Sequence, residues 1–141
     1  MGGPWPDSSA APACRSLFLR LATMLRAEDP ALAAHLFDEN QVDPQFYALR
    51  WLMTCLAGDF HLPEVLRLWD AILAAPAGKR LDRLLRVCTC MHLAPLARAR
   101  LMEADFAGSI KLLQAYPEEV PVEEIVALAA QLEDRDAARG R

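Results

Sequence analysis

Ten prolines, spread through a 141-residue chain whose apolar positions otherwise recur at helical spacing, set the strongest limit on its fold. A proline removes a backbone donor and crowds the preceding turn, so it is tolerated at a helix start and ends or kinks a helix elsewhere. Asp29-Pro30 and Asp43-Pro44 repeat one arrangement, an N-cap carboxylate followed by proline at the first helical position, where the missing N–H costs nothing. Val, Ile and Thr are sparse, Leu and Ala abundant, and no stretch alternates long enough to make a strand. The fold class expected is all-α, an array of about seven or eight short helices. The predicted spans are 14–27, 30–38, 44–57, 63–75, 80–92, a continuation past Pro95 to 103, 106–115 and 122–135.

Residues 1–13, rich in Pro, Gly, Ser and Ala, are expected to be a disordered lead-in. Residues 14–135 then form the domain, and 136–141 a charged tail. Gly58 is expected to leave the third helix in the left-handed conformation. In the fourth, Val65, Leu68, Trp69, Ile72 and Leu73 form an apolar stripe, with Glu64, Arg67 and Asp70 on the other side. In the fifth, the stripe is Leu81, Leu84, Leu85, Cys88 and Met91.

Composition excludes several functions. A net charge of −4 supplies no excess of cations to displace phosphate counterions, so nucleic acid is not an expected partner. Four scattered cysteines do not make a secreted disulfide scaffold. Met1 to Pro6 lacks the basic and apolar regions of a signal peptide, and the densest apolar run, Phe46 to Ala57, is too short to cross a bilayer. A cytoplasmic protein that reaches membranes only through a partner, without inserting, is expected. Cys88 and Cys90, two apart on a helix, point to different sides and read as buried thiols, even with His92 nearby. No metal or cofactor is expected. His35 and His61 read as polar or capping residues, and Arg80, Arg83 and Arg86 as a solvated basic stripe. No nucleophile elbow or Gly-rich phosphate loop is present.

The third and fourth helices are joined by a short turn and are expected to pack antiparallel. Arg50 and Asp70 both lie ten residues from Phe60, and Trp51 and Trp69 both nine. That symmetry predicts an Arg50–Asp70 ion pair beside two tryptophans, the loss of one partner costing about 3–5 kcal/mol if it is buried.

The same residues carry a family resemblance. Phe46-Tyr47-Ala48-Leu49-Arg50-Trp51-Leu52, then Phe60-His61-Leu62-Pro63, then Val65-Leu66-Arg67-Leu68-Trp69-Asp70 resembles the last signature block of TBC domains, the GTPase-activating domains that act on Rab small GTPases. Asp29 to Leu36 is similar to the helix before that block, and Leu101 to Phe106 and Leu112 to Pro117 to the closing helices. The likeness covers about residues 17–132, the C-terminal part of such a domain, with Arg50, Trp51, Phe60, Trp69 and Asp70 as its structural signature. Two departures stand out: Gly58-Asp59 replaces a charged or polar residue and glutamate, and Pro95 falls inside a helix that is ordinarily continuous.

The resemblance implies a Rab-type GTPase as partner, with GTP and Mg²⁺ held by that partner. It also implies two catalytic fingers, an arginine in I-x-x-D-x-x-R and a glutamine in Y-x-Q, both upstream of the matched blocks. Neither motif occurs here. The single D-x-x-R, Asp136 to Arg139, has Glu133 at the isoleucine position, and Tyr47 and Tyr116 are followed two residues on by Leu49 and Glu118. The chain thus reads as a fragment or truncated isoform of a Rab GTPase activator, lacking catalytic residues and not an enzyme in itself. The alternative is a non-catalytic helical module that binds a Rab or another trafficking protein. Apolar surface left uncovered in half a domain would favour self-association.

Overall fold

A computed structural model describes residues 12–140. The predicted lead-in therefore lies almost wholly outside the described residues. Those residues are helical, in the order α1 (Pro12–Glu28), α2 (Pro30–Ala33), a wide π-type turn (Ala34–Glu39), α3 (Gln45–Met53), α4 (Leu62–Leu73), a 3₁₀ turn (Ala77–Lys79), α5 (Arg80–Leu93), α6 (Pro95–Met102), α7 (Phe106–Gln114) and α8 (Val122–Arg139). The all-α expectation holds.

The proline rule operates as read at Asp29-Pro30, whereas at Asp43-Pro44 the cap is Pro44 itself and α3 starts one residue later, at Gln45. Asp29 takes the Leu32 amide proton at 3.1 Å and Pro30 opens α2. The same carboxylate accepts Arg98 Nε–H of α6 at 2.5 Å, and this partner holds its pKa below the usual carboxylate range. Asp43 accepts the Gln45 amide proton at 2.9 Å, with Pro44 between them. Ala94, forced to an extended ψ of 131° by the proline that follows, separates α5 from α6.

The packing centres on α5. It lies against α1, α3, α4, α6 and α8, and every residue from Val87 to His92 is buried. A helix can bury so much only if it is apolar on nearly all sides, which the run Val87-Cys88-Thr89-Cys90-Met91 supplies. Cys88 and Cys90 are both buried, and burial pushes the Cys88 thiol far up and the Cys90 thiol to about 12. Leu81, at the exposed end of the helix, is 44% accessible and does not join the predicted stripe.

The basic stripe on α5 is not a solvated face. Arg83 binds Glu133 of α8 and the Ala71 carbonyl, Arg86 binds Asp136, and Arg80 reaches the Ala75 carbonyl. Arg135 of α8 in turn meets Glu28 of α1. These pairs carry α8 through Arg139, four residues beyond the predicted end at 135. Each pair is partly exposed on at least one side, where such contacts are worth about 1 kcal/mol, so the extension is an accumulation of modest contacts.

One imidazole lies in the middle of the core. His92 is fully buried, with Nδ1 at 2.9 Å from the Cys88 carbonyl and Nε2 at 2.7 Å from the Tyr47 hydroxyl. A carbonyl only accepts, so Nδ1 carries the proton, Nε2 is the acceptor and Tyr47 donates. Burial depresses the His92 pKa to about 4 from 6.5. Below pH 6.5 the unfolded chain binds this proton and the folded chain does not, so stability falls as the pH drops from 6.5 to about 4. The loss expected is about 3 kcal/mol. Urea midpoints measured across that window should decline accordingly, and in His92→Gln, which keeps an acceptor for Tyr47, this part of the slope should vanish.

Candidate functional site

The segment between α3 and α4 departs most from the sequence reading. The helix predicted to run to 57 ends at Met53, because Cys55 and Leu56 take left-handed backbone angles, φ 48° and 69°. Two adjacent non-glycine residues in that region cost roughly 1–2 kcal/mol each. The turn is held because the Leu56 amide donates to the Trp51 carbonyl at 2.8 Å and the Leu56 side chain is fully buried. Gly58 has no positive φ, so the predicted glycine exit is corrected to Cys55-Leu56.

Ending α3 early redirects Arg50. Its Nη2 donates to Asp59 Oδ1 at 2.5 Å and to the Gln114 carbonyl at 2.6 Å. The Gln114 side chain donates to the Phe46 carbonyl at 2.8 Å, so α3 and α7 are bound reciprocally. The predicted Arg50–Asp70 pair does not form; Asp70 is exposed on α4. The equidistance argument assumed two helices facing each other across a hairpin. In the fold α3 packs on α1, α5 and α7, and α4 on α5 and α8. Asp59, inside the turn itself, takes the guanidinium instead, and its side chain is entirely buried.

The other signature residues divide between two layers. Trp51 is buried in an aromatic group, with ring centroids 4.9 Å from Tyr47, 5.5 Å from His92 and 6.4 Å from Tyr116. Phe60 lies over Tyr116 at 5.7 Å, and the Tyr116 hydroxyl donates to the Met91 carbonyl at 2.7 Å, anchoring the loop after α7 to α5. Trp69 lies on the outer side of α4 and donates its indole N–H to the Cys55 carbonyl at 2.8 Å, closing the turn from above. Arg50, Trp51, Phe60 and Trp69 therefore all support one turn, and Asp70 does not.

That turn, α7 and the 115–120 loop enclose an open cleft of about 1160 Å³, lined by residues including Arg50, Phe60, Lys111, Tyr116, Glu118 and Glu119. Its rim carries both signs of charge, with Arg100 3.6 Å from Glu119, and the His61 ring lies 3.6 Å from Glu118. No group of acidic, histidine or cysteine side chains able to hold a metal occurs among the described residues. Such a mixed, shallow surface suits contact with a protein rather than capture of a small ligand. Tyr116, Gln114 and Leu56 are the contributors that spacing alone missed. The proline after Tyr116 signals a helix end and no more, and nothing local singles out Gln114.

Comparison with known proteins adds the context. The family model described as the Rab-GTPase-TBC domain matches residues 8–95. TBC1 domain family member 13 of mouse is 46% identical over 79 residues, 56% of this chain and 19% of that protein. The human protein of the same name is 40% identical over 98 residues, 70% of this chain and 23% of its own length. The crystal structure of the Ypt/Rab-GAP domain of Gyp1p superposes with a TM-score of 0.75 at 24% identity, covering 91% of this chain and 39% of that one. The chain thus spans about a fifth of the length of these curated relatives.

Removing Arg50 strands a buried carboxylate whose second oxygen, Oδ2, has no partner among the described residues. Because the guanidinium is half exposed, Arg50→Ala should cost about 2–3 kcal/mol, the low end for a buried pair. In thermal melts of the isolated chain Asp70→Asn should stay within about 0.5 kcal/mol of the parent, as surface changes do. Equal losses in the two variants would contradict the observed pairing.

Proposed function

The chain belongs to the Rab-GTPase-TBC domain family, and we propose that it provides the C-terminal, non-catalytic part of a Rab GTPase-activating domain. In this reading it contributes shape and contact surface to a Rab-type GTPase, which itself holds GTP and Mg²⁺, and does not accelerate hydrolysis alone. What supports it is that neither finger motif implied by the family resemblance occurs in the sequence, while the family model matches residues 8–95.

The geometry supports the same reading. An arginine finger must project a free guanidinium toward the transferring phosphoryl group, and a glutamine must orient the attacking water. Two arginines line the cleft: Arg50 is committed to Asp59 and the Gln114 carbonyl, and Arg100 lies 3.6 Å from Glu119. Gln114, the glutamine at the cleft, is tied to the Phe46 carbonyl. Releasing Arg50 or Gln114 would dismantle the α3–α7 junction, so neither substitutes for a finger. No helix among the described residues is long and apolar enough to cross a membrane.

Single-turnover hydrolysis by a panel of GTP-loaded Rab proteins should proceed within about twofold of the intrinsic rate when this chain is added. An arginine finger contributes roughly 10³–10⁵. Acceleration of even a hundredfold by the purified chain would overturn the reading. Binding of a GTP-loaded Rab without acceleration, scored in parallel by light scattering, is the positive result expected.

A further inference from the structure

Helix α4 is apolar over a wider arc than the rest of the chain covers. Val65, Leu68 and Ile72 are buried against the core. Beside them Leu62, Leu66, Trp69 and Leu73 follow one another at i, i+4, i+7 and i+11 and remain 68%, 49%, 37% and 57% exposed. A single exposed leucine is ordinary; a row of four large apolar side chains along one helix marks an interaction surface. The indole N–H of Trp69 is already bonded to the Cys55 carbonyl, so covering its ring would leave no donor unpaired. Asp70 borders the row on the outer side and is exposed, with a through-space attraction to Arg67 one turn back. The neighbouring cation, Arg67, is held by Glu123 at 2.6 Å.

We propose that this face of α4 is a docking surface for the part of a complete Rab-GTPase-TBC domain that this chain does not span, and that the occupant presents an apolar helix face with a basic side chain toward Asp70. Two observations choose the occupant. The solved Ypt/Rab-GAP domain superposes on 91% of this chain with only 39% of its own, so most of a whole domain lies outside the residues described here. Charge argues against a second copy of this chain, because the α4 cation that could meet Asp70 across a two-fold axis is already spent on Glu123. The proposal rests on family membership and the α4 surface, and is independent of the Rab-binding reading.

The test compares Leu66→Asp and Asp70→Asn in two settings: the isolated chain, and a chimera in which residues 14–135 replace the corresponding segment of mouse TBC1 domain family member 13. In the isolated chain both substitutions should leave the melting midpoint nearly unchanged. In the chimera Leu66→Asp should lower it by about 10 °C and Asp70→Asn by a few degrees, since a buried apolar contact and an ion pair are then lost. Equal effects in both settings overturn the proposal. So does a concentration-dependent dimer of the isolated chain that Leu66→Asp dissociates, which would make the occupant a second copy. If the chimera does not fold, the chain in a Trp5→Phe background is mixed with the separately expressed remainder of the mouse domain, and iodide quenching of its emission is followed. Protection of Trp69 that Leu66→Asp abolishes supports the proposal, and unchanged quenching refutes it.

Discussion

The structure depends on one constraint, that α5 must be covered on nearly every side. Its Val87–His92 segment exposes no face that water could wet at low cost, so five other helices are drawn around it. The single buried imidazole is admitted to that core because both ring nitrogens find partners, one on the helix's own backbone and one on Tyr47. That second bond also fixes the rotation of α3, since Tyr47 must face His92 and Trp51 follows it one turn on. With Trp51 inward, Arg50 faces outward, toward α7 and the turn. Much of the cleft is thereby set by one histidine.

The sequence disclosed what local chemistry decides and missed what distant contacts decide. The Asp29-Pro30 start, the break before Pro95, the buried thiols and the all-helical class are each visible within a few residues, because capping, proline sterics and side-chain polarity act over that range. The exit of α3 was not visible. An apolar run through Leu56 and Ala57 looks like continuing helix, and only the burial of Leu56 against the core justifies the left-handed backbone at 55 and 56. The Arg50–Asp70 expectation failed for the same reason, since counting from a turn gives the height of a residue and not the direction in which its helix turns it. The correct partner, Asp59, stood at the position where this chain departs from the family's glutamate, and a shorter acid at that place still reaches the guanidinium. The last helix was underestimated because its charged end looks soluble until Arg83, Arg86 and Glu28 are placed opposite it.

Arginine here is largely a structural residue. Arg26, Arg50, Arg67, Arg83, Arg86, Arg98 and Arg135 each join a carboxylate elsewhere in the chain, and most of these bonds link different helices. A guanidinium suits that task because its planar fork satisfies two acceptors at once. The same property makes a finger arginine useful in phosphoryl transfer, but one side chain cannot serve both ends, because a finger must be free when the substrate arrives.

A GTPase activator needs two separable things, a surface that recognises the GTPase and charges that meet the transition state. Recognition can be spread over many weak contacts on a rigid scaffold, whereas the charge must come from one or two side chains placed to within a fraction of an ångström. The helices around α5 make a rigid scaffold, and the turn at 54–60 is locked from three directions by Leu56, Arg50 and Trp69. Rigidity of that kind suits the proposed supporting role, since Arg50 and Gln114, the groups at the junction of α3 and α7, are already bonded to the fold. On the proposed reading, the residues that build the scaffold are occupied by it, and the chemistry falls to a segment whose side chains the scaffold leaves free.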